Sequence, residues 1–439
     1  MKKRIFALAL CVAMIASLIA CTAPTADAPI ENQPTTGGTQ QTTDATAATD
    51  QAAASELDPI QLEFFLLKVQ ALGVHEEMAA LFQQEHPHVT VQFVATPDAE
   101  TAMFARIAAG DVPDMMNTFP SMLTYRLMMD DGLFVDLTDE PFMNRIPEDI
   151  KELSHHNGRQ FSVPAAMSAY GVFYNRDIFA AHGLSVPETY EELLNVAQTL
   201  QDAGITPFAF YGRSAGTVGQ LTERVIGILE NDSDNFFRGV VEGRYDIRAR
   251  PEVRIQAETI LDIRNFSQPD VMAFDQDQAI SEFATGRAAM IIGGTWFVTV
   301  MLEANPQFDF SIFPIPNPMG TFGLPISIDT AWSIYSGATC VDTAVAKLEF
   351  LTRTEIAQMY ADAEGSPNVI QGVQFNTVQL ANINDKINDP NLNVFLTPVN
   401  FWPPGMRARW QEYTQLLLLD GDIDGFITNT ETVLFEFYD

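Results

Sequence analysis

Residues 157–177 read NGRQFSVPAAMSAYGVFYNRD, and the elements around this stretch decide the fold. Asn157 and Gly158 form a turn signal, and Pro164 is expected to end the strand that follows. Residues 169–174 are apolar over a short run, which predicts a further strand. The stretch therefore predicts two strand segments, one that ends at Pro164 and one over residues 169–174.

On both sides of this stretch, predicted strands alternate with predicted helices. Upstream, residues 61–67 and 89–94 are expected to be strands, and a helical pattern follows each of them. Downstream, residues 188–203 predict an amphipathic helix, and residues 288–292 predict a buried strand. This repeated order predicts a parallel sheet flanked by helices.

Composition excludes several classes of protein. The 439 residues contain 24 Lys and Arg against 57 Asp and Glu, a formal net charge of -33. Nucleic-acid binding needs clustered cations, so this charge excludes it, and it argues against adsorption to an anionic membrane surface. Of three cysteines, only Cys340 lies beyond the first 21 residues, so neither a disulfide framework nor a cysteine-rich metal site is expected.

The N-terminal residues predict export. Residues 1–20 begin with a cationic Met-Lys-Lys-Arg and continue as an apolar run over 5–19, which is typical of a signal peptide. The end of this run, Leu-Ile-Ala-Cys at 18–21, resembles a bacterial lipobox. It implies cleavage before Cys21 and lipidation of the Cys21 sulfur; the alternative is an ordinary signal peptide with an incidental cysteine.

Residues 21–57 are expected to be the lipidated cysteine and a flexible tether. Residues 22–55 contain nine Thr and nine Ala, and they contain no Lys, Arg or aromatic residue. Such a segment buries too little apolar surface to offset the entropy lost on ordering. The sequence thus predicts a body held outside the cytoplasm by a lipid anchor alone.

Several motifs along the body resemble those of one family. They are Asn157–Pro164 with Tyr170–Asp177, His182–Leu184 with Pro187–Glu192, Phe283–Met290 with Gly294–Trp296, and the C-terminal group Phe350–Thr352, Ala357–Gln358 and Gly365–Pro367. In this order they resemble bacterial extracellular solute-binding lipoproteins of carbohydrate ABC transporters, the maltose- and multiple-sugar-binding type of family 1. The resemblance covers the chain from Leu57 to its end.

The resemblance implies an α/β fold, the two-lobed periplasmic-binding-protein fold of type II. Each lobe is expected to hold a mixed, mostly parallel sheet flanked by helices, with a hinge between the lobes. The implied first lobe comprises residues 58–165 and 326–367, and the second comprises residues 166–325 and 368–439. The chain is expected to cross between them at 165–168, 324–327 and 367–369.

Aromatic side chains near strand ends are candidates for stacking on sugar rings. Trp296 follows a predicted strand that ends in two glycines, and it matches a cleft tryptophan of the family; core packing is the alternative. Phe119 follows another strand end, and Trp402 lies in an irregular Pro-Pro-Gly segment. Tyr170 is a further candidate.

Polar candidates would satisfy sugar hydroxyls. Lys68 and Gln70 follow the first strand, where the family often contacts its ligand, and Asn117 lies beside Phe119. Asp329 lies beside the second predicted crossing, where a turn or helix cap is the alternative role, and Arg407 is also included.

An enzyme is the main competing class. Residues 212–216, Gly-Arg-Ser-Ala-Gly, match the nucleophile-elbow pattern of hydrolases. That fold needs a histidine after the serine, and all six histidines precede Ser214, so a glycine-rich turn is expected here. Adjacent carboxylates such as Asp130 and Asp131 point apart and are expected to be solvated.

The sequence therefore predicts a non-enzymatic receptor of an ABC importer. It would capture a sugar, most simply an oligosaccharide, in the cleft between the lobes and deliver it to the membrane-spanning permease subunits. No cofactor or metal is expected, and the protein is expected to be a monomer. A receptor for a non-sugar solute, a sensory receptor and a surface-anchored glycan-active enzyme remain the alternatives.

Overall fold

The computed structural model describes residues 57–96, 99–320, 322–374, 378–380, 383 and 392–438. The predicted signal peptide, Cys21 and the tether lie outside these residues. The strands are β1 (Ile60–Leu66), β2 (Val89–Ala95), β3 (Met115–Thr118), β4 (Val163–Asn175), β5 (Thr206–Ala209), β6 (Ala288–Gly294), β7 (Phe310–Phe313), β8 (Ile315–Pro316), β9 (Phe322–Ile334) and β10 (Asn393–Leu396).

Helices lie between most of these strands and follow the last of them. They are α1 (Leu72–Glu85), α2 (Ala99–Ala108), α3 (Leu123–Asp130), α4 (Glu148–Ser154), α5 (Arg176–Ala181), α6 (Tyr190–Asp202), α7 (Ala215–Leu229), α8 (Ser233–Val241), α9 (Glu252–Asn265), α10 (Gln276–Ala284), α11 (Phe297–Ala304), α12 (Val341–Leu351), α13 (Thr354–Glu364), α14 (Met406–Asp420) and α15 (Ile423–Tyr438). The strands and helices predicted over residues 61–109 and 188–203 are confirmed.

The sheet is mixed and follows the order β2-β1-β3-β9-β4-β6-β5. The pairs β1–β2, β1–β3 and β5–β6 are parallel, as the alternating order predicts. The long strands β4 and β9 run antiparallel to each other, and β7 and β8 add antiparallel pairs beside them. The central strands of the sheet are thus antiparallel.

Strand β4 belongs to both halves of the sheet. Residues 163–169 pair with β9, whereas residues 170–175 pair with β6 and β7. The prediction that Pro164 ends a strand is therefore wrong: β4 continues through it. Register shifts between Pro164 and Met167 accommodate a residue that cannot donate a ladder hydrogen bond.

Four clusters of buried side chains, two in each lobe, form the cores of the described body. In the first lobe, Leu62, Phe64 and Leu66 of β1 face α1, α12 and α13, whereas Phe65 faces α2 and α3. This alternation is the period of two that strand geometry imposes. In the second lobe, β4 to β7 pack between α6–α9 with α14 and α15 on one face and α10 and α11 on the other.

The three segments predicted to cross between the lobes lie side by side. Met167 N donates to Pro367 O (2.8 Å), and Val369 N donates to Ala165 O (3.0 Å). Ser168 is the register partner of Ser327. The boundaries of the two lobes within these segments stay a prediction.

Candidate functional site

Lys68 lies at the centre of a buried charge cluster. The residue follows β1, and its Nζ donates to Asp329 of β9 and to Glu364 at the end of α13. The three side chains are 13%, 11% and 1% exposed. We call these three residues the Lys68 triad; one cation faces two carboxylates, so the triad carries a net charge of about -1 when all three are ionised.

Burial and charge act in opposite directions within the triad. Burial lowers the pKa of Lys68, but Asp329 and Glu364 outweigh it, so the pKa lies above its ordinary value. Burial raises the pKa of Glu364, and Lys68 offsets only part of this rise. The hydroxyl of Tyr360 and the amine of Lys68 act in the opposite direction and lower this pKa.

Helix α11 connects this triad to the second lobe. Thr299 Oγ1 of α11 donates to the backbone carbonyl of Glu364 (2.9 Å). Trp296 lies just before α11, three residues from Thr299, and residues three apart share one face of a helix. The backbone of Trp296 thus lies about one helical turn along the chain from the residue that contacts the end of α13.

Trp296 is half-buried against Tyr170. The two ring centroids are 6.0 Å apart with an interplanar angle of 41°, and Phe297 packs at right angles to the indole ring at 5.8 Å. A Cβ on Gly294 would overlap the Trp296 ring, which explains the glycine at this strand end. Tyr170 itself is buried, and its hydroxyl lies 3.4 Å from that of Tyr211.

Arg224 of α7 packs against both of these rings. Its Cζ lies 4.7 Å from the centroid of Tyr170 and 6.0 Å from that of Trp296. A guanidinium group so placed is attracted by the aromatic faces. We call Tyr170, Trp296 and Arg224 the platform.

Glu223, which precedes Arg224, joins the platform to α14. This carboxylate is fully buried and accepts from Arg224 Nη1 (2.8 Å), Arg407 Nε (2.9 Å) and Gln411 Nε2 (2.7 Å). A Cβ on Gly219 would come within 2.9 Å of Gln411 Cα, so the glycine allows α7 and α14 to approach each other here. The buried carboxylate is compensated by two cations.

Arg407 also faces the first lobe. Burial lowers its pKa, but the charges of Glu223 and then of Glu100 outweigh this effect, and the pKa is raised. Tyr125 donates its hydroxyl hydrogen to Glu100 Oε1 (3.0 Å), and burial and Glu100 raise the pKa of this tyrosine well above its ordinary value. The charge of Glu100 on α2 thus acts on Arg407 of α14.

The structure brings some of the predicted site residues together. Lys68 contacts Asp329, Trp296 contacts Tyr170, and Arg407 is linked to the platform through Glu223. Among the other predicted residues, Asn117 is buried and its Oδ1 accepts from Leu67 N (3.0 Å), so it holds the chain beside Lys68.

The remaining three predicted residues have other surroundings. Phe119 is half-buried, with its ring 5.9 Å from that of Tyr125, and Gln70 is exposed. Trp402 is 3% exposed and lies in the core of the second lobe, with its ring 4.9 Å from that of Trp410. Packing accounts for Trp402 in this structure, because the irregular segment around it folds onto the core.

Sequence reasoning missed Glu223, Arg224 and Glu364. A signal for two of them was present, since Glu223 and Arg224 are the only charged residues of the largely buried α7. Among the residues that the structure describes, no group of three or more His, Cys, Asp or Glu side chains is placed to hold a metal ion. In the same part of the chain, every helix is too short or too polar to cross a membrane.

Comparison with known proteins places the chain in a family. Residues 70–358 match the family of bacterial extracellular solute-binding proteins. The multiple sugar-binding protein of Streptococcus mutans is 25% identical over 74% of this chain and 78% of its own length. The melibiose/raffinose/stachyose-binding protein MelE of Bacillus subtilis is 22% identical over 68% of this chain and 71% of its own length.

Solved structures agree with these sequence relatives. The binding protein RafE, solved in complex with raffinose, is 26% identical, with a TM-score of 0.76 over 86% of this chain and 99% of the RafE chain. With its two lobes, its mixed sheet and a matched region that spans most of the described body, the chain belongs to the bacterial extracellular solute-binding proteins.

Proposed function

We propose that this protein is the receptor of an ABC importer and captures an oligosaccharide in the cleft between its lobes. Three observations support this function: the half-buried Trp296 beside Tyr170, the charge of Glu100 that acts on Arg407, and relatives whose names include raffinose, stachyose and multiple sugars. The receptor would then deliver the sugar to the membrane-spanning permease subunits.

The observation that carries the proposal is that α11 links the platform to the Lys68 triad. An aromatic face covers the apolar C–H patch of a sugar ring, and fixed polar groups satisfy its hydroxyls. Trp296 provides such a face, and the Lys68 triad provides a donor and acceptors that α11 links to it through Thr299. The first turn of α11 thus connects the two kinds of group that sugar recognition needs.

Closure of the cleft is part of the proposal. We assign residues 58–165 and 326–367 to the first lobe and residues 166–325 and 368–439 to the second, with the three adjacent crossings as the hinge. Hinge closure around a ligand is a common motion of two-lobed binding proteins. Phe119, Gln70 and Asn117 would approach the ligand from the first lobe.

Anchoring at the membrane is the second part of the proposal. The protein would be exported, lipidated on Cys21 and held by the tether outside the cytoplasm as a monomer. Mass spectrometry of the exported protein tests this: a diacylglycerol-modified Cys21 at the N-terminus is expected, and an unmodified N-terminus would contradict the anchor.

The protein would bind its sugar without turnover. Ser214 of the G-x-S-x-G match directly precedes α7, and Gly212 is packed against Val271 and Met272, where a Cβ would come within 2.8 Å of the Met272 sulfur. Close packing accounts for this glycine without a catalytic role. Intact sugar recovered after prolonged incubation is the expected result, and hydrolysis would contradict it.

Thermal unfolding in the presence of candidate ligands tests the function. We expect raffinose, stachyose or melibiose to raise the unfolding midpoint; ligand at 100 times its Kd stabilises by about 2.7 kcal/mol. The rise should disappear in Trp296→Ala and persist in Phe435→Ala, whose exposed ring lies on α15. A shift with a peptide or polyamine and with none of the sugars would overturn the ligand class.

A further inference from the structure

Glu223 is a buried carboxylate whose partners reach two separate parts of the second lobe. It is fully buried within α7, and its two oxygens accept from Arg224 of the same helix and from Arg407 and Gln411 of α14. A fully buried carboxylate is costly unless such donors satisfy it. Its position is therefore fixed by the packing of α7 on α14.

Arg224 depends on this carboxylate for its orientation. Its side chain is 9% exposed, and its Nη1 donates to Glu223 (2.8 Å) and to the carbonyl of Gln220 (3.0 Å). Its Nε is buried and has no hydrogen-bond partner in the described part of the chain. The remaining surface of the guanidinium group lies against Tyr170 and Trp296.

Loss of the Glu223 charge would free both arginines. Arg224 and Arg407 are like charges that share this carboxylate, and without it they repel each other. Arg407 would then be drawn towards Glu100, whose charge already acts on it. Arg224 would leave the ring faces, and the Trp296 ring would lose a neighbour on its inner side.

We propose that Glu223 is a positioning residue for ligand capture: it holds Arg224 against Tyr170 and Trp296 and so fixes the platform in its binding orientation. Glu223 acts through Arg224 and does not itself need to touch the ligand. The inference rests on the proposed function for its ligand, whereas the positioning of Trp296 can be measured without any ligand.

The chain offers a matched control in the same lobe. Glu252 of α9 is 6% exposed and accepts from Arg250 Nη2 (2.7 Å). Arg250 likewise lies over two aromatic rings, those of Phe236 (5.0 Å) and Tyr245 (5.2 Å). The Glu252→Gln variant therefore removes a comparable buried charge from a comparable stack, but away from the platform.

The first experiment uses ¹⁹F NMR of protein labelled with 5-fluorotryptophan, without ligand. The chain has four tryptophans, and comparison with Trp296→Phe identifies the Trp296 resonance. We expect Glu223→Gln to shift or broaden this resonance, while the resonance of Trp332, buried in the first lobe, stays in place. Glu252→Gln should leave the Trp296 resonance unchanged. An unchanged Trp296 resonance in folded Glu223→Gln protein would overturn the proposal.

Glu223→Asp is the second variant if Glu223→Gln does not fold. It keeps the charge that both arginines need but withdraws the carboxylate by one methylene, so Arg224 is pulled away from the rings. The same change of the Trp296 resonance is expected. A folded Asp variant with the wild-type resonance would contradict the positioning role.

The second experiment is a double-mutant cycle with raffinose as the probe. We expect Glu223→Gln and Arg224→Met each to weaken raffinose binding about tenfold, the equivalent of one charge-assisted hydrogen bond. The double variant should be no weaker than either single variant, because both changes remove the same support. Additive losses would show that Glu223 acts by another route. If wild-type protein does not bind raffinose, the proposed ligand fails, and the ¹⁹F result still decides the positioning role.

Discussion

Thr299 donates a 2.9 Å hydrogen bond from Oγ1 to the backbone carbonyl of Glu364, and this bond joins α11 to the end of α13. The carbonyl belongs to the last turn of a helix, where backbone acceptors lack intrahelical partners. The same residue carries the carboxylate that pairs with Lys68. One threonine hydroxyl thus connects the helix behind Trp296 to the buried triad.

We expect Thr299→Val to lower the free energy of unfolding by about 1 kcal/mol, because it leaves the Glu364 carbonyl without its donor. Urea denaturation measures the change. Thr432→Val is the matched control, since its hydroxyl donates only to Thr428 O of its own helix. Equal losses in the two variants would show that the link between α11 and α13 adds nothing.

Within the Lys68 triad, the cation and the carboxylates are expected to respond differently. Lys68→Met leaves Asp329 and Glu364 uncompensated at buried positions, so we expect a loss of about 3–5 kcal/mol at pH 7. Glu364→Gln should cost far less, because the Lys68–Asp329 pair remains. Chemical denaturation of both variants at pH 7 checks the contrast, and equal losses would contradict it.

The pH dependence of the Glu364 variant follows from the direction of its shift. Burial raises the pKa of Glu364 above its ordinary 4.5, so the folded state holds a proton that the unfolded state releases. Ionised Glu364 therefore costs stability, and wild-type stability should fall as the pH rises above 4.5 towards the folded-state pKa. Glu364→Gln should remove this fall, and an unchanged slope in denaturation series would contradict the assignment.

Lys347 is a buried amine in the first-lobe core. It is 0% exposed, and its Nζ lies over the rings of Phe82 (4.8 Å) and Phe350 (5.1 Å), with one weak hydrogen bond to Met78 O (3.4 Å). Burial lowers its pKa from 10.5 to about 7. The folded protein binds this proton less tightly than the unfolded chain does, so the amine lowers stability at neutral pH.

We expect Lys347→Met to raise the free energy of unfolding at pH 7 by several kcal/mol and to abolish a pH-dependent gain in stability. In the wild type, stability should rise by up to about 1.4 kcal/mol per pH unit between pH 7 and 10.5. Denaturation at pH 7 and at pH 10 measures both effects. Lys151→Met, which removes only an i,i+3 pair with Glu148, is the control. A Lys347→Met protein less stable than the wild type at pH 7 would disprove this account.

Gly294→Ala should displace the indole ring without changing any polar group. Its Cβ would overlap Trp296, and overpacking of this kind costs about 1–3 kcal/mol. The rise of the unfolding midpoint that sugar causes should therefore be smaller in Gly294→Ala than in the wild type. Gly73→Ala is the control, because a Cβ there meets no atom within 4 Å. Retention of full sugar binding by Gly294→Ala would contradict the role given to the indole position.

Much of the fold could be predicted because its signals are local. Apolar periodicity indicated β1, α1, β2 and α6, and the cap that Thr189 forms with Glu192 N (3.1 Å) follows from a short sequence motif. Pro164 misled the prediction because a bulge, which depends on β9, makes its missing donor harmless.

The candidate site was only partly predictable, because several of its contacts join residues that are far apart in the sequence. Trp296 and Tyr170 could be proposed as candidates because Trp296 follows the end of a predicted strand and Tyr170 lies near the start of another. Glu223 and Arg407 are 184 residues apart, and only the packing of α7 on α14 brings them together. Trp402 lies in an irregular segment that nonetheless folds onto a core, which no local pattern reveals.

The pairing of β4 with strands of both lobes fixes the length of β4. Side chains alternate between its faces, so an insertion of one residue near Ala166 would exchange the two faces for every residue beyond it. The tyrosine ring would move from the Trp296 side into the register position of Gly171, where even a Cβ would come within 2.6 Å of Phe313 O. Variants of this protein with an added or missing residue in this strand should therefore fail to fold.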